Sequence, residues 1–123
     1  MAGRMRGKVA LITGAGSGIG AETAKRLAAE GARIACVDRI GERAKETARL
    51  IGAAGGEAFA LVADVGRRED VDRMVEETVR RWGRVDVLVN NAHGFGARGD
   101  IQTWIDFHDA DEGRTPRSKV RIS

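Results

Sequence analysis

Thr13-Gly14-Ala15-Gly16-Ser17-Gly18-Ile19-Gly20 is the stretch whose reading decides the fold. Ahead of it, Val9-Ala10-Leu11-Ile12 is a short apolar run with the character of a buried strand. Behind it, Gly18 to Glu30 reads as a helix, with Ala24, Leu27 and Ala28 on one face and Gly31 at its end. The general dinucleotide pattern G-x-G-x-x-G does not fit, because Ile19 stands where its last glycine should be. The spacing is instead T-G-x-x-x-G-x-G. Gly14 suits a tight turn that a Cβ would obstruct. Gly18 removes bulk where a pyrophosphate would approach the chain, and Gly20 lets the helix pack closely on the strand. The helix start then presents unpaired N–H groups and a positive dipole end to phosphates.

Working outward, strand and helix signals alternate as a parallel sheet requires. Ala32 to Val37 is a second strand, and Glu42 to Ala54 a helix with Ala44, Ala48 and Ile51 on one face. Gly55-Gly56 stops it. Glu57 to Ala63 is a third strand closed by Asp64. Arg68 to Trp82 is a helix whose stripe is Val71, Met74, Val75, Thr78 and Trp82, ended by Gly83. Val85 to Val89 is a fourth strand, followed by Asn90-Asn91-Ala92. The expected fold is an α/β, Rossmann-type three-layer α/β/α arrangement with a parallel sheet of strand order 3-2-1-4. The order reverses between strands 1 and 4, and ligands bind at the carboxyl ends of strands at such a reversal.

Asp38 follows the second strand, eighteen positions past Gly20. A carboxylate there accepts hydrogen bonds from an adenosine ribose and repels a 2′-phosphate, which favours NAD over NADP. Ser17 agrees, since no basic side chain stands inside the turn. Arg39 argues the other way if it reaches a 2′-phosphate, and otherwise reads as a surface charge.

Composition narrows the remaining classes. The chain has 123 residues, 42% hydrophobic and 32% charged, which suits one globular domain. The net charge of +3 is spread among interleaved acids and bases with no basic stripe, so no nucleic-acid partner is expected. No apolar run nears the roughly 20 residues of a membrane helix. The basic opening has no signal-peptide core, and the expectation is a cytoplasmic protein. Cys36 is the single cysteine and lies in an apolar strand, where it reads as a buried, inert thiol. No metal-ligand cluster is read.

Three signatures coincide: Thr13-Gly14 to Gly20, Asp64-Val65 after the third strand, and Asn90-Asn91-Ala92 after the fourth. With Gly83-Arg84-Val85-Asp86-Val87-Leu88-Val89 leading into the last, residues 7–92 resemble the classical short-chain dehydrogenase/reductases. The resemblance implies hydride transfer between a nicotinamide dinucleotide and an alcohol or carbonyl substrate. It implies that Gly14, Gly18, Ile19 and Gly20 contact the pyrophosphate, with Thr13 and Ser17 in the same turn. It implies Asp38, beside Arg39, at the adenosine ribose and Asp64 with Val65 at the adenine. Asn90 and Ala92 would flank the cofactor.

The sequence also departs from that family's pattern. His93 stands where the family has Gly after Asn-Asn-Ala, and Gly94 follows. The family moves a proton through a Tyr, with a Lys four residues on, a Ser and a further Asn. This sequence contains no Tyr, its only Asn residues are 90 and 91, and after the turn its only Ser residues are 118 and 123. No catalytic residue is therefore assigned. Residues 93–123 read as a divergent tail after a half-domain over 1–92. Ile101, Trp104, Ile105 and His108 have helical spacing, and Arg114 to Ser123 reads as disordered. Arginine-, glycine- and aspartate-rich sequence there suggests a frameshifted, spliced or truncated product, with a purposeful short tail as the rival. A substrate would then be handled only if other residues completed the site. The rival readings are a non-catalytic NAD(H)-binding module or partner subunit, and a non-functional remnant. Val85 to Val89 would be an apolar edge open to self-association unless the tail covers it.

Overall fold

A computed structural model describes residues 3–91 and the backbone of 121–122. The elements in chain order are β1 (Val9–Thr13), α1 (Gly18–Ala29), β2 (Arg33–Asp38), α2 (Gly41–Ala53), β3 (Glu57–Val62), α3 (Arg68–Trp82), β4 (Val87–Asn90) and β5 (Arg121–Ile122). The strands form one sheet in the order β3-β2-β1-β4-β5. Every pair is parallel, with Val9 opposite Arg33, Leu11 opposite Leu88, and Arg33 opposite Glu57. The order 3-2-1-4 read from the sequence is present, and β5 adds one strand to it.

Side chains of β1 and β2 alternate between the two faces, as strand geometry demands. Ala10, Ile12, Ile34 and Cys36 face a core closed by Ala24 of α1 and Ile51 of α2. Leu11, Ala35 and Val37 face the opposite core, closed by Val71, Met74 and Val75 of α3. All five residues of β1 are buried, so the strand is covered on both faces. Leu11, Ile12, Ile34, Met74 and Leu88 are fully buried, each worth roughly 1.5–3 kcal/mol in water-to-core transfer. Cys36 is buried among them, and burial pushes its thiol up to about 12.

The stripe read on α3 is the buried one, with Thr78 turning its hydroxyl onto the Met74 carbonyl at 2.8 Å. Trp82 is only partly buried. It meets Phe59 of β3 edge-on at 5.0 Å, and Arg81 lies over the same Phe59 ring at 4.3 Å. Glu57, on the edge strand, receives Trp82 Nε1 at 3.3 Å and Arg33 Nε at 3.1 Å.

One reading changes at the β4 side. The strand begins at Val87 rather than Val85. Asp86 instead clips the head of β1: its N–H donates to the Val9 carbonyl at 2.8 Å, and its Oδ2 accepts the Val9 N–H at 2.9 Å. Its Oδ1 accepts from Arg84 Nε at 2.9 Å and Nη2 at 2.6 Å. The outer edge of β4 is covered at one place by the tail, the alternative that the sequence left open. Arg121 and Ile122 pair with Val87 and Leu88, because the outer N–H and C=O groups of β4 need partners. The remainder of 92–120, including Ala92, His93 and the helical spacing at 101–108, lies outside the described residues. Among the described residues no helix is long and apolar enough to cross a membrane.

Replacing Asp86 with Ala strands the buried Val9 N–H and frees Arg84. We expect a loss of about 2–3 kcal/mol, read as a lowered urea midpoint with an unchanged slope.

Candidate functional site

The carboxyl ends of β1, β2 and β3 open onto one crevice of about 420 Å³, within the range of small-ligand sites. It is lined by Gly14, Ser17, Gly18, Ile19, Val37, Asp38, Arg39, Ile40, Arg43, Ala63, Asp64, Val65 and Asn91.

The glycine turn forms the crevice floor and is tied from below. Ala15 N–H donates to the Val37 carbonyl at 3.0 Å. Thr47, buried on α2, donates its hydroxyl to the Ala15 carbonyl at 2.8 Å. Gly14 has φ +65°, a left-handed conformation that costs an L side chain roughly 1–2 kcal/mol. A Cβ on Gly20 would collide with the Gly14 carbonyl oxygen and sit 2.7 Å from Asn91 Nδ2, so Gly20 permits the close approach of α1 to β1. A Cβ on Gly18 would meet no atom within 4 Å. Among the described residues, nothing occupies the space above Gly18. Ser17, at the N-cap of α1, makes no side-chain capping bond, and the first turn of α1 holds no acid. Neither Ser17 nor an acid of the first turn therefore competes with an anion for the first N–H groups of α1.

Asp38 ends β2 and is held by backbone. Its Oδ2 accepts the Gly16 N–H at 2.9 Å and its Oδ1 the Ile40 N–H at 2.9 Å. One carboxylate thus joins the glycine turn to the start of α2. A Cβ on Gly16 would run into the Arg43 Cβ and lie 2.6 Å from Asp38 Oδ2. Asp64 stands two residues past the end of β3, and its Oδ1 accepts the Gly66 N–H at 2.9 Å. Its own N–H donates to Asp70 Oδ2 of α3 at 2.8 Å.

The structure brings Gly14, Ser17, Gly18, Ile19, Asp38, Arg39, Asp64 and Val65 to the crevice wall. It places Thr13 and Gly20 beneath that wall. The Thr13 side chain is fully buried and faces β4, with Oγ1 3.4 Å from the Val89 carbonyl and 3.3 Å from Asn90 Oδ1. The same Oγ1 accepts the Asn91 N–H at 3.1 Å. Asn90 thus braces β1 against β4, and Asn91 is the neighbour that reaches the crevice. Ala92 lies outside the described residues. Arg43 and Thr47 were missed by the sequence reading. Their signal was position alone: both sit on the face of α2 that follows Asp38 by one and two turns. Among the described residues no group of three or more His, Cys, Asp or Glu could hold a metal.

Geometry and known proteins agree. The family model for short chain dehydrogenase matches residues 8–112. That match runs past residue 92, where the sequence reading set the limit of the likeness. An uncharacterized oxidoreductase of Thermotoga maritima is 47% identical over 97 residues, covering 79% of this chain and 38% of that protein. The short-chain dehydrogenase/reductase homolog YusS of Bacillus subtilis is 46% identical over 86 residues, covering 69% of this chain and 79% of that protein. The chain therefore spans about two fifths of the Thermotoga relative and most of the Bacillus one. A metagenomic short-chain oxidoreductase solved with NADP superposes with TM-score 0.69 at 40% identity, over 72% of this chain and 40% of that one. A Haemophilus influenza structure with bound NAD superposes with TM-score 0.68 at 31% identity, over 71% and 31%.

The Asp70 carboxyl is held below its ordinary range, first by the Asp64 N–H and then by the charges of Arg73 and Arg67, while burial opposes them. A lowered native pKa stabilises the fold above the unfolded carboxylate value near 3.9, and that contribution is lost as pH falls through the native value. We expect the melting-temperature gap between the parent and Asp70→Asn to be widest at neutral pH and to close under strong acid.

Proposed function

Because this chain belongs to the short-chain dehydrogenase family, we propose that its crevice holds the adenosine and pyrophosphate half of NAD(H). The glycine turn at Gly14–Gly20 and the start of α1 receive the pyrophosphate. Asp38 receives the ribose hydroxyls, and Asp64 with Val65 edges the adenine. The bound dinucleotide supplies the carbon that gives or takes a hydride, and an alcohol/carbonyl pair is the substrate class. What these residues do themselves is bind and orient. The turn fixes the phosphates by N–H groups and dipole, and the Asp38 carboxylate sets the angle of the sugar.

The observation that carries this reading is the Asp38 carboxylate. It stands at the crevice wall, fixed by the Gly16 and Ile40 N–H groups, and a carboxylate at the ribose repels a 2′-phosphate. Arg39 and Arg43 line the same crevice and pull the other way. The acid is locked by two backbone donors, so its charge stays in place while long arginine side chains can swing out.

A second reading is dinucleotide binding by these 123 residues, which hold no Tyr, with turnover dependent on residues outside them. A phenol beside a Lys is the proton donor that the family resemblance implies. Oxidation of a panel of alcohols with NAD separates the two readings.

Fluorescence titration tests the cofactor. NADH should saturate with a Kd about tenfold or more below that of NADPH, since one like-charge contact near the surface is worth on the order of 1–4 kcal/mol. Asp38→Ala should erase or invert that preference, because Arg39 and Arg43 then face the 2′-phosphate alone. Equal affinities in the parent protein would remove Asp38 from the role given to it.

A further inference from the structure

We propose that Asp70 and Arg73 of α3 are positioning residues for the adenine side of the crevice. Neither lines the crevice, and both hold the turn that does. Arg73 Nη2 donates to the Val62 carbonyl at 2.6 Å, on the last residue of β3. Asp70 Oδ2 accepts the Asp64 N–H at 2.8 Å, two residues later. Between them, the Ala63 N–H donates to the Asp38 carbonyl at 3.1 Å. Val62, Ala63 and Asp64 are thus held by three separate bonds, two of them from a single turn of α3. Asp70 and Arg73 are themselves 3.7 Å apart as an ion pair, so each limits the rotamers of the other.

The bonds point beyond ordinary helix capping. Asp70 is the third residue of α3, from which a capping acid reaches back to the N–H of the N-cap, here Arg67. The Arg67 N–H is already spent on the Asp64 carbonyl at 2.9 Å. Asp70 reaches three residues further back, to a residue that lines the crevice. Arg73, a turn on, reaches past it to the strand end. The pair therefore sets where Ala63, Asp64 and Val65 stand relative to Asp38, which the proposed function makes the sugar acceptor. A displaced turn would leave the ribose contact intact and misplace the base.

This inference rests on the dinucleotide reading, and the test separates the two. AMP and NADH dissociation constants are measured on the full chain for the parent, Asp70→Ala, Asp70→Asn, Arg73→Ala and Arg73→Lys, with folded fraction followed by circular dichroism. Asp70→Ala and Arg73→Ala should each weaken AMP about tenfold, the scale of one lost charge-assisted hydrogen bond. Asp70→Asn keeps an acceptor oxygen, and Arg73→Lys keeps a donor, so each should restore most of the affinity. Arg73 is half-exposed, so its variants fold even where Asp70→Ala does not. AMP affinity unchanged in both alanine variants overturns the proposal while leaving the cofactor reading in place. A loss that tracks folded fraction and is not rescued by the conservative variants also overturns it. A parent protein that binds neither AMP nor NADH removes the cofactor reading itself.

Discussion

The middle strand β1 has a neighbour on each side and a layer of helix on each face, so none of its backbone polar groups can turn to water. From Ala10 to Thr13 the strand lies between β2 and β4 in parallel register, and at its head Asp86, just ahead of β4, takes both the Val9 N–H and the Val9 carbonyl. Parallel neighbours cannot be joined by a hairpin. Each connection must travel back over the sheet, and a helix does this with its own hydrogen bonds closed. The alternating layers follow from that single requirement. So does the location of the site, since all strand ends of one polarity arrive together and the chain must turn there three times.

What makes those turns a site is that they hold one another. Asp38 bonds the glycine turn on one side and the start of α2 on the other. Ala63 returns to the Asp38 carbonyl, and Thr47 reaches under the turn to Ala15. Loops that carry binding groups are usually the loosest part of a domain. Here the loops of three consecutive crossovers share hydrogen bonds, and Ala15, Ala63 and Val65 within them are buried in the core, so the cradle is preorganised. A ligand then meets groups already in position and loses less entropy in ordering them.

The fold was legible in the sequence because its signals are local. Strand β1 and helix α3 announce themselves by apolar runs, periodicity and end residues, and their bounds moved by a residue at most. Strand β4 shows where that stops. Val85 has the apolar character of a strand residue, yet the chain is used there by Asp86, whose partner Val9 is 77 positions away. Two crevice acids are held locally: Asp38 ends β2, Asp64 stands two residues past β3, and each accepts the N–H two residues on. Thr47, Arg43, Asp70 and Arg73 act across elements, on residues that only the tertiary fold brings near, and on their own helices they read as ordinary polar positions. The sequence left open that the tail covers β4, but which of its residues do so could not be read for the same reason. Two residues carry no periodicity, and what recruits them is the unmet hydrogen-bonding of another strand.

The thiol of Cys36 lies in the second strand of the sheet, with β1 on one side and β3 on the other. With its proton held until about pH 12 and no path for a reagent to reach it, the folded protein is silent toward alkylation. Modification has to wait until the sheet parts. The chain thus carries its own clock: the rate at which a maleimide is consumed counts openings of the central layer, and anything that keeps that layer shut slows the count.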